Sequence, residues 1–184
     1  ILNEGEEYLN HAQQYPVIFL SFKSIKAKKF NVALNEIKIA IIKEYTRHSY
    51  LLQSKKLLNH EKNTFERIIN KKGDRADYSH SLQYLSDYLY KHYNKPVIIL
   101  IDEYDTPIQN SYNNGFFEEM IDFIKSLFNA GLKDNDHLFK GLITGILRVA
   151  KESIFSDLNN LDVCTVLNRE YRARFGFTEN EVKK

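Results

Sequence analysis

Apolar residues in this chain alternate between two periods. Tyr15 to Phe22 is a short run of β-branched and aromatic residues with Pro16 at its entry and polar stretches on both sides, the pattern of a buried strand. Phe30, Ala33, Leu34, Ile37, Ile41 and Tyr45 then recur at helical spacing, which predicts a helix of about 18 residues. Ile39 and Ile42 widen its apolar face, so the helix is expected to pack on more than one side.

Leu51 to Lys72 reads as one or two short helices with basic outer faces, closed by a break at Gly73-Asp74-Arg75. Ser79 is positioned to cap the next helix, which carries Leu82, Leu85, Leu89 and His92 on one stripe and ends at Asn94-Lys95-Pro96. Val97 to Ile101 is an unbroken aliphatic run, the composition of a central parallel strand covered on both faces. Gly115 precedes a second amphipathic helix with Phe117, Met120, Ile121, Ile124, Leu127, Phe128 and Gly131 at helical steps. A third strand is predicted at Lys140 to Thr144 and a helix at Ala150 to Leu158. A weaker fourth strand is predicted at Val163 to Leu167, and Thr178 to Glu181 matches a capping box opening a last helix. Strands alternating with helices argue for an α/β layered fold with a largely parallel sheet.

Composition narrows this picture. The 184 residues are 43% hydrophobic and 27% charged, which excludes disordered and low-complexity classes. A net charge of +2 from 26 basic and 24 acidic residues argues neither for nor against nucleic-acid binding. A single cysteine, Cys164, excludes an internal disulfide framework and suits a reducing, cytoplasmic setting. No apolar run approaches the roughly 20 residues of a membrane helix. The opening at Ile1 has neither an initiating methionine nor a basic leader, as expected of a segment of a longer protein.

Two places could carry chemistry. At Ile98 to Glu103 an aliphatic strand ends in adjacent carboxylates, and ligands of open parallel sheets sit beyond the carboxyl ends of strands. There Asp102 could hold Mg²⁺ through water and Glu103 could polarise an attacking water. The bland alternative is a core strand followed by an acidic turn, which Asp105 and Pro107 favour. At Gly141 to Gly145, Thr144 could touch the attacking water or a terminal phosphate, and Arg148 could meet charge developing in the transition state. Alone, these two read better as a strand end and a solvated helix residue.

Four segments together carry a resemblance: Tyr15 to Lys23, Ile101 to Ile108, Thr144 to Phe155 and Phe175 to Thr178. In this order they resemble the AAA-ATPase-like domain family of bacterial proteins. The resemblance implies a three-layer P-loop NTPase fold, with helices flanking a mostly parallel sheet, and an activity of ATP hydrolysis with Mg²⁺. Asp102 would be the Walker B metal carboxylate, Glu103 the catalytic glutamate, Thr144 the polar sensor and Arg148 the arginine of the sensor motif. Family members often carry a nuclease-like domain downstream, through which nucleic acid would become a partner.

The chain departs from the family at one point. None of its seven glycines opens a Gly-x-x-x-x-Gly-Lys-Ser/Thr loop, whose backbone N–H groups and lysine would cradle phosphates. The chain is therefore expected to be one incomplete domain without the P-loop strand and helix. Residues 1–14 would be a leading segment, 15–177 the core and 178–184 the start of a C-terminal helix. The sheet should then show a gap, or closing or splaying, between the strands at Leu142 and Val163. ATP is not expected to bind these 184 residues tightly. The alternative function is a non-catalytic nucleic-acid or protein-binding module on the same fold.

Other sites carry less. Glu36-Ile37-Lys38 and Glu181-Val182-Lys183 fit a nuclease string but fall on helix surfaces. The six histidines show no zinc-site spacing, and Cys164 in an apolar strand reads as a small core residue. The 12 Tyr and 12 Phe mostly lie on core stripes, the scattered basic dipeptides read as solvated surface, and Ser and His form no triad.

Overall fold

The computed structural model describes residues 6–146, 155, 158, 161–165 and 179–183. Three parallel strands, β1 (Val17–Ser21), β2 (Val97–Asp102) and β3 (Leu138–Ile143), form one sheet in the order β1-β2-β3. Between β1 and β2 run α2 (Phe30–Arg47), a 3₁₀ turn (Ser49–Gln53), α3 (Asn59–Ile69), α4 (Arg75–Ser79) and α5 (Ser81–Tyr93). Between β2 and β3 run α6 (Thr106–Asn114), α7 (Phe117–Phe128) and a π-helical turn (Asn129–Lys133). Short helices α1 (Glu6–Leu9) and α8 (Glu179–Val182) lie near the ends of the chain.

Burial alternates along β1 and β2, and this fixes the architecture. Ile18 and Leu20 of β1 and Ile99 and Ile101 of β2 are buried on one face. Against them pack Ala33, Leu34, Ile37, Ile41 and Tyr45 of α2 and Leu82, Leu85 and Leu89 of α5. Gly141 of β3 points the same way, and a Cβ there would lie 2.9 Å from Leu132 Cδ2, so the π turn sits against the bare backbone. Burying Tyr45 is affordable because its hydroxyl donates to the Ser81 carbonyl at 2.7 Å.

The opposite face carries Val17, Phe19, Ile98, Leu100 and Leu142, and no described helix covers it. Phe19 is 46% and Leu142 58% exposed. β2 is thus central in the sheet but covered on one side only among the described residues, and two layers stand where three were expected. The alternation Val-Ile-Ile-Leu-Ile hides this, because both faces of the strand are aliphatic.

The two sheet edges differ as well. The outward Phe19 N–H of β1 donates to Glu44 Oε1 at 2.8 Å, and Arg47 Nη2 donates to the Val17 carbonyl at 2.7 Å. Two side chains from the end of α2 therefore occupy the edge groups that another strand would use. The far edge of β3 has no strand beside it among the described residues.

Several local expectations change. Ser79 closes α4, and its hydroxyl donates back to the Ala76 carbonyl, while α5 starts at Ser81 and His80 before it makes no side-chain cap. The side-chain cap is one helix earlier, where Asp74 Oδ1 accepts from Asp77 N at 2.8 Å and Asp77 Oδ2 from Asp74 N. Ile39 is exposed, but Ile42 packs against the core and α2 meets α3 and α7 as well as β1, so the helix does pack on more than one side. The acidic turn at Asp105 opens an extra helix, α6, with Pro107 in its first turn, where a proline costs no hydrogen bond. Residues 161–165 form no strand and Cys164 is exposed, so the fourth strand is not built there. Val166 and Leu167, most of the helix predicted at Ala150 to Leu158, and Thr178 lie outside the described residues. Leu158 is buried in the main core, with Phe155 packed against it.

Candidate active site

Parallel register sets three residues side by side at the carboxyl end of the sheet. Ser21 is the Cα partner of Asp102, and Ile101 is the partner of Ile143, which puts Thr144 level with Asp102. Since side chains alternate along a strand, all three emerge on the open face. That face is therefore tiered: Val17 beside Ile98, then Phe19, Leu100 and Leu142, then the polar row of Ser21, Asp102 and Thr144.

Within the row each hydroxyl donates to a different carboxylate oxygen. Ser21 Oγ donates to Asp102 Oδ2 at 3.1 Å, and Thr144 Oγ1 donates to Asp102 Oδ1 at 2.8 Å. Both oxygens keep a lone pair for a further partner. Asp102 is half-buried at the end of the central strand.

Glu103 follows in the left-handed region at φ 52°, which breaks the strand and turns the chain into α6. Its Oε2 accepts from Thr106 Oγ1 at 3.3 Å. The β2–β3 ladder continues past β3: Thr144 N donates to the Ile101 carbonyl at 2.8 Å and Tyr104 N to the Thr144 carbonyl at 3.1 Å. Gly145 then passes so close that a Cβ would lie 2.6 Å from Tyr104 Cε1. Asp105, buried beneath, accepts from Ile146 N at 3.1 Å and Gln109 Nε2 at 2.6 Å through Oδ2. On the other side, Ala27 N donates to Asn110 Oδ1 at 2.7 Å and ties the segment after β1 to α6.

Of the residues singled out in the sequence, the fold brings Asp102, Glu103 and Thr144 together, and Arg148 lies outside the described residues. Sequence reasoning missed Ser21 and Asp105. The one signal for Ser21 was a polar residue closing an otherwise apolar strand. Asp105 was visible only as a turn former. The basic dipeptides fall on separate connections: Lys28-Lys29 before α2, Lys55-Lys56 before α3 and Lys71-Lys72 after it.

The donor set is all oxygen, which suits Mg²⁺ rather than a transition metal. Among the described residues no group of three or more His, Cys, Asp or Glu could cage a metal ion. One carboxylate flanked by hydroxyls matches the way Mg²⁺ is usually held, through one or two carboxylates with waters and substrate phosphates completing the shell. No described helix is long and apolar enough to cross a membrane.

A family model described as a predicted AAA-ATPase matches residues 1–155. An uncharacterized protein in the vnfD 5′ region of Azotobacter chroococcum mcd 1 is 39% identical over 88 residues, 47% of this chain. The matched stretch is 17% of that protein's length. No solved structure matches.

Proposed function

This chain belongs to the AAA-ATPase-like family, and on that premise we propose that it supplies the Walker B half of a Mg²⁺-dependent ATP-hydrolysing site. The observation that supports the reading most is the polar row at the carboxyl ends of three parallel strands, with Asp102 at its centre and Glu103 next in the chain.

In this reading Asp102 would hold Mg²⁺ through water. Bound Mg²⁺ would neutralise charge on the terminal phosphates of ATP. Glu103 accepts a hydrogen bond from the attacking water and orients its lone pair. Thr144 accepts from that water through its lone pairs or turns its proton from Asp102 to the terminal phosphate, and Arg148 meets the charge that develops there. The phosphate-binding loop comes from chain beyond these 184 residues. Its strand would take the free edge of β3 and its helix the apolar tiers of the open face, completing the third layer. A nuclease-like domain further along the intact protein would bring nucleic acid as a second partner.

The test is Glu103→Gln in the intact protein. Turnover should fall by roughly 10²- to 10⁴-fold with ATP binding kept, the size expected for loss of a positioned general base. Undiminished hydrolysis with binding intact would remove Glu103 from this role.

A further inference from the structure

We infer that Ser21 is a positioning residue for Asp102, one that fixes the metal-binding carboxylate before nucleotide arrives; the inference rests on the reading above.

An aspartate at a strand end can turn about two side-chain torsions, and each rotamer would offer a metal-bound water a different oxygen. Here the carboxylate is held at both ends. Thr144 from β3 takes Oδ1 and Ser21 from β1 takes Oδ2, so rotation breaks one hydrogen bond or both. Thr144 alone would leave Oδ2 free to swing. The Ser21 contact is built into the sheet, because Ser21 and Asp102 are register partners and neighbouring strands lie about 4.8 Å apart.

Packing gives no reason for a serine there. The tiers below it on the same face are Val17 and Phe19, and β-branched or aromatic residues favour strands more than serine does. The hydroxyl has one proton, and Asp102 receives it. The oxygen keeps its lone pairs, so it can also accept from a water of the metal's shell. Ser21 thus orients Asp102 and extends the row that faces the ion, while taking no part in bond making.

The experiment compares wild type, Ser21→Ala, Ser21→Thr and Asp102→Asn in the intact protein. Mn²⁺ affinity in the presence of ADP is read by electron paramagnetic resonance, beside thermal unfolding. Ser21→Ala should weaken Mn²⁺ binding roughly five- to tenfold, the scale of one typical hydrogen bond lost. Ser21→Thr should restore affinity, and the unfolding midpoint should stay within a few degrees of wild type, since the side chain is only half-buried. Wild-type Mn²⁺ affinity in Ser21→Ala, or equal weakening in Ser21→Ala and Ser21→Thr, would overturn the inference. If Asp102→Asn loses Mn²⁺ in that case, the ATPase reading stands without Ser21. If Asp102→Asn also binds like wild type, both fall.

Discussion

On one face of the sheet, Ile18, Leu20, Ile99 and Ile101 are at most 2% exposed beneath α2 and α5. On the other, one residue along in each strand, Phe19 and Leu142 stand about half in solvent above a row of hydroxyls and a carboxylate. Both faces come from the same aliphatic strands, so hydrophobicity does not separate them. What separates them is which side the intervening helices return to. All the described helices between β1 and β3 close over one face, and the stability of the described fold is concentrated there. The chemistry gathers at the end of the face that they leave open. The edges repeat the contrast: β1 is sealed by Glu44 and Arg47, while the outer edge of β3 has no strand beside it among the described residues.

The strongest way to sharpen the comparison is to truncate one aliphatic residue on each face. Ile99→Ala, at 0% exposure, should cost about 2–5 kcal/mol in chemical denaturation. An equal loss from Leu142→Ala would mean the two faces are equivalent.

Unsealing the β1 edge comes next. Glu44 is buried, which works to raise its pKa, but hydrogen bonds from His48, Arg47 and the Phe19 N–H outweigh this and hold the carboxyl below its ordinary value of 4.5. A carboxyl depressed in the folded state stabilises above its unfolded pKa and loses that contribution as pH falls through the folded value. Glu44→Gln should therefore cost about 1–3 kcal/mol at pH 7, because it weakens contacts to a charged acceptor. The difference from wild type should shrink as pH drops below 4.5. A difference that is constant from pH 7 to 3 would show that the carboxylate charge contributes nothing to the seal.

The smallest effect belongs to the open face. Leu142→Ser should change the stability of this chain by no more than about 0.5 kcal/mol, as for an ordinary surface position. A larger loss in the intact protein than in this chain would show that further chain covers the face.

Much of this was legible in the chain. The 18-residue span of α2 followed from its 3.6-residue period, and β1, β2 and β3 from short apolar runs bounded by polar residues. Asp102, Glu103 and Thr144 stood out because carboxylates and hydroxyls ending aliphatic strands have few packing reasons to be there. Other features were not legible. α6 was hidden because Asp-Thr-Pro serves a turn and a helix start equally well. The false cap at Ser79 arose because a serine's hydroxyl can bond backward into its own helix as readily as forward. Residues 161–165 of the strand expected at Val163 form none, and a short β-branched run has little strand preference apart from the neighbours it packs on.

By itself the sequence determined β1, β2, β3 and α2, the parallel α/β class and the place of Asp102 and Glu103 at a strand end, because periodicity and residue chemistry are local properties. Only the tertiary structure decided that Ser21 joins Asp102 and Thr144, that Glu44 and Arg47 seal one edge, and that one face of β2 stays open. Each of these depends on strand register or on the side to which a crossover returns, and both are settled by contacts between residues 25 to 81 positions apart.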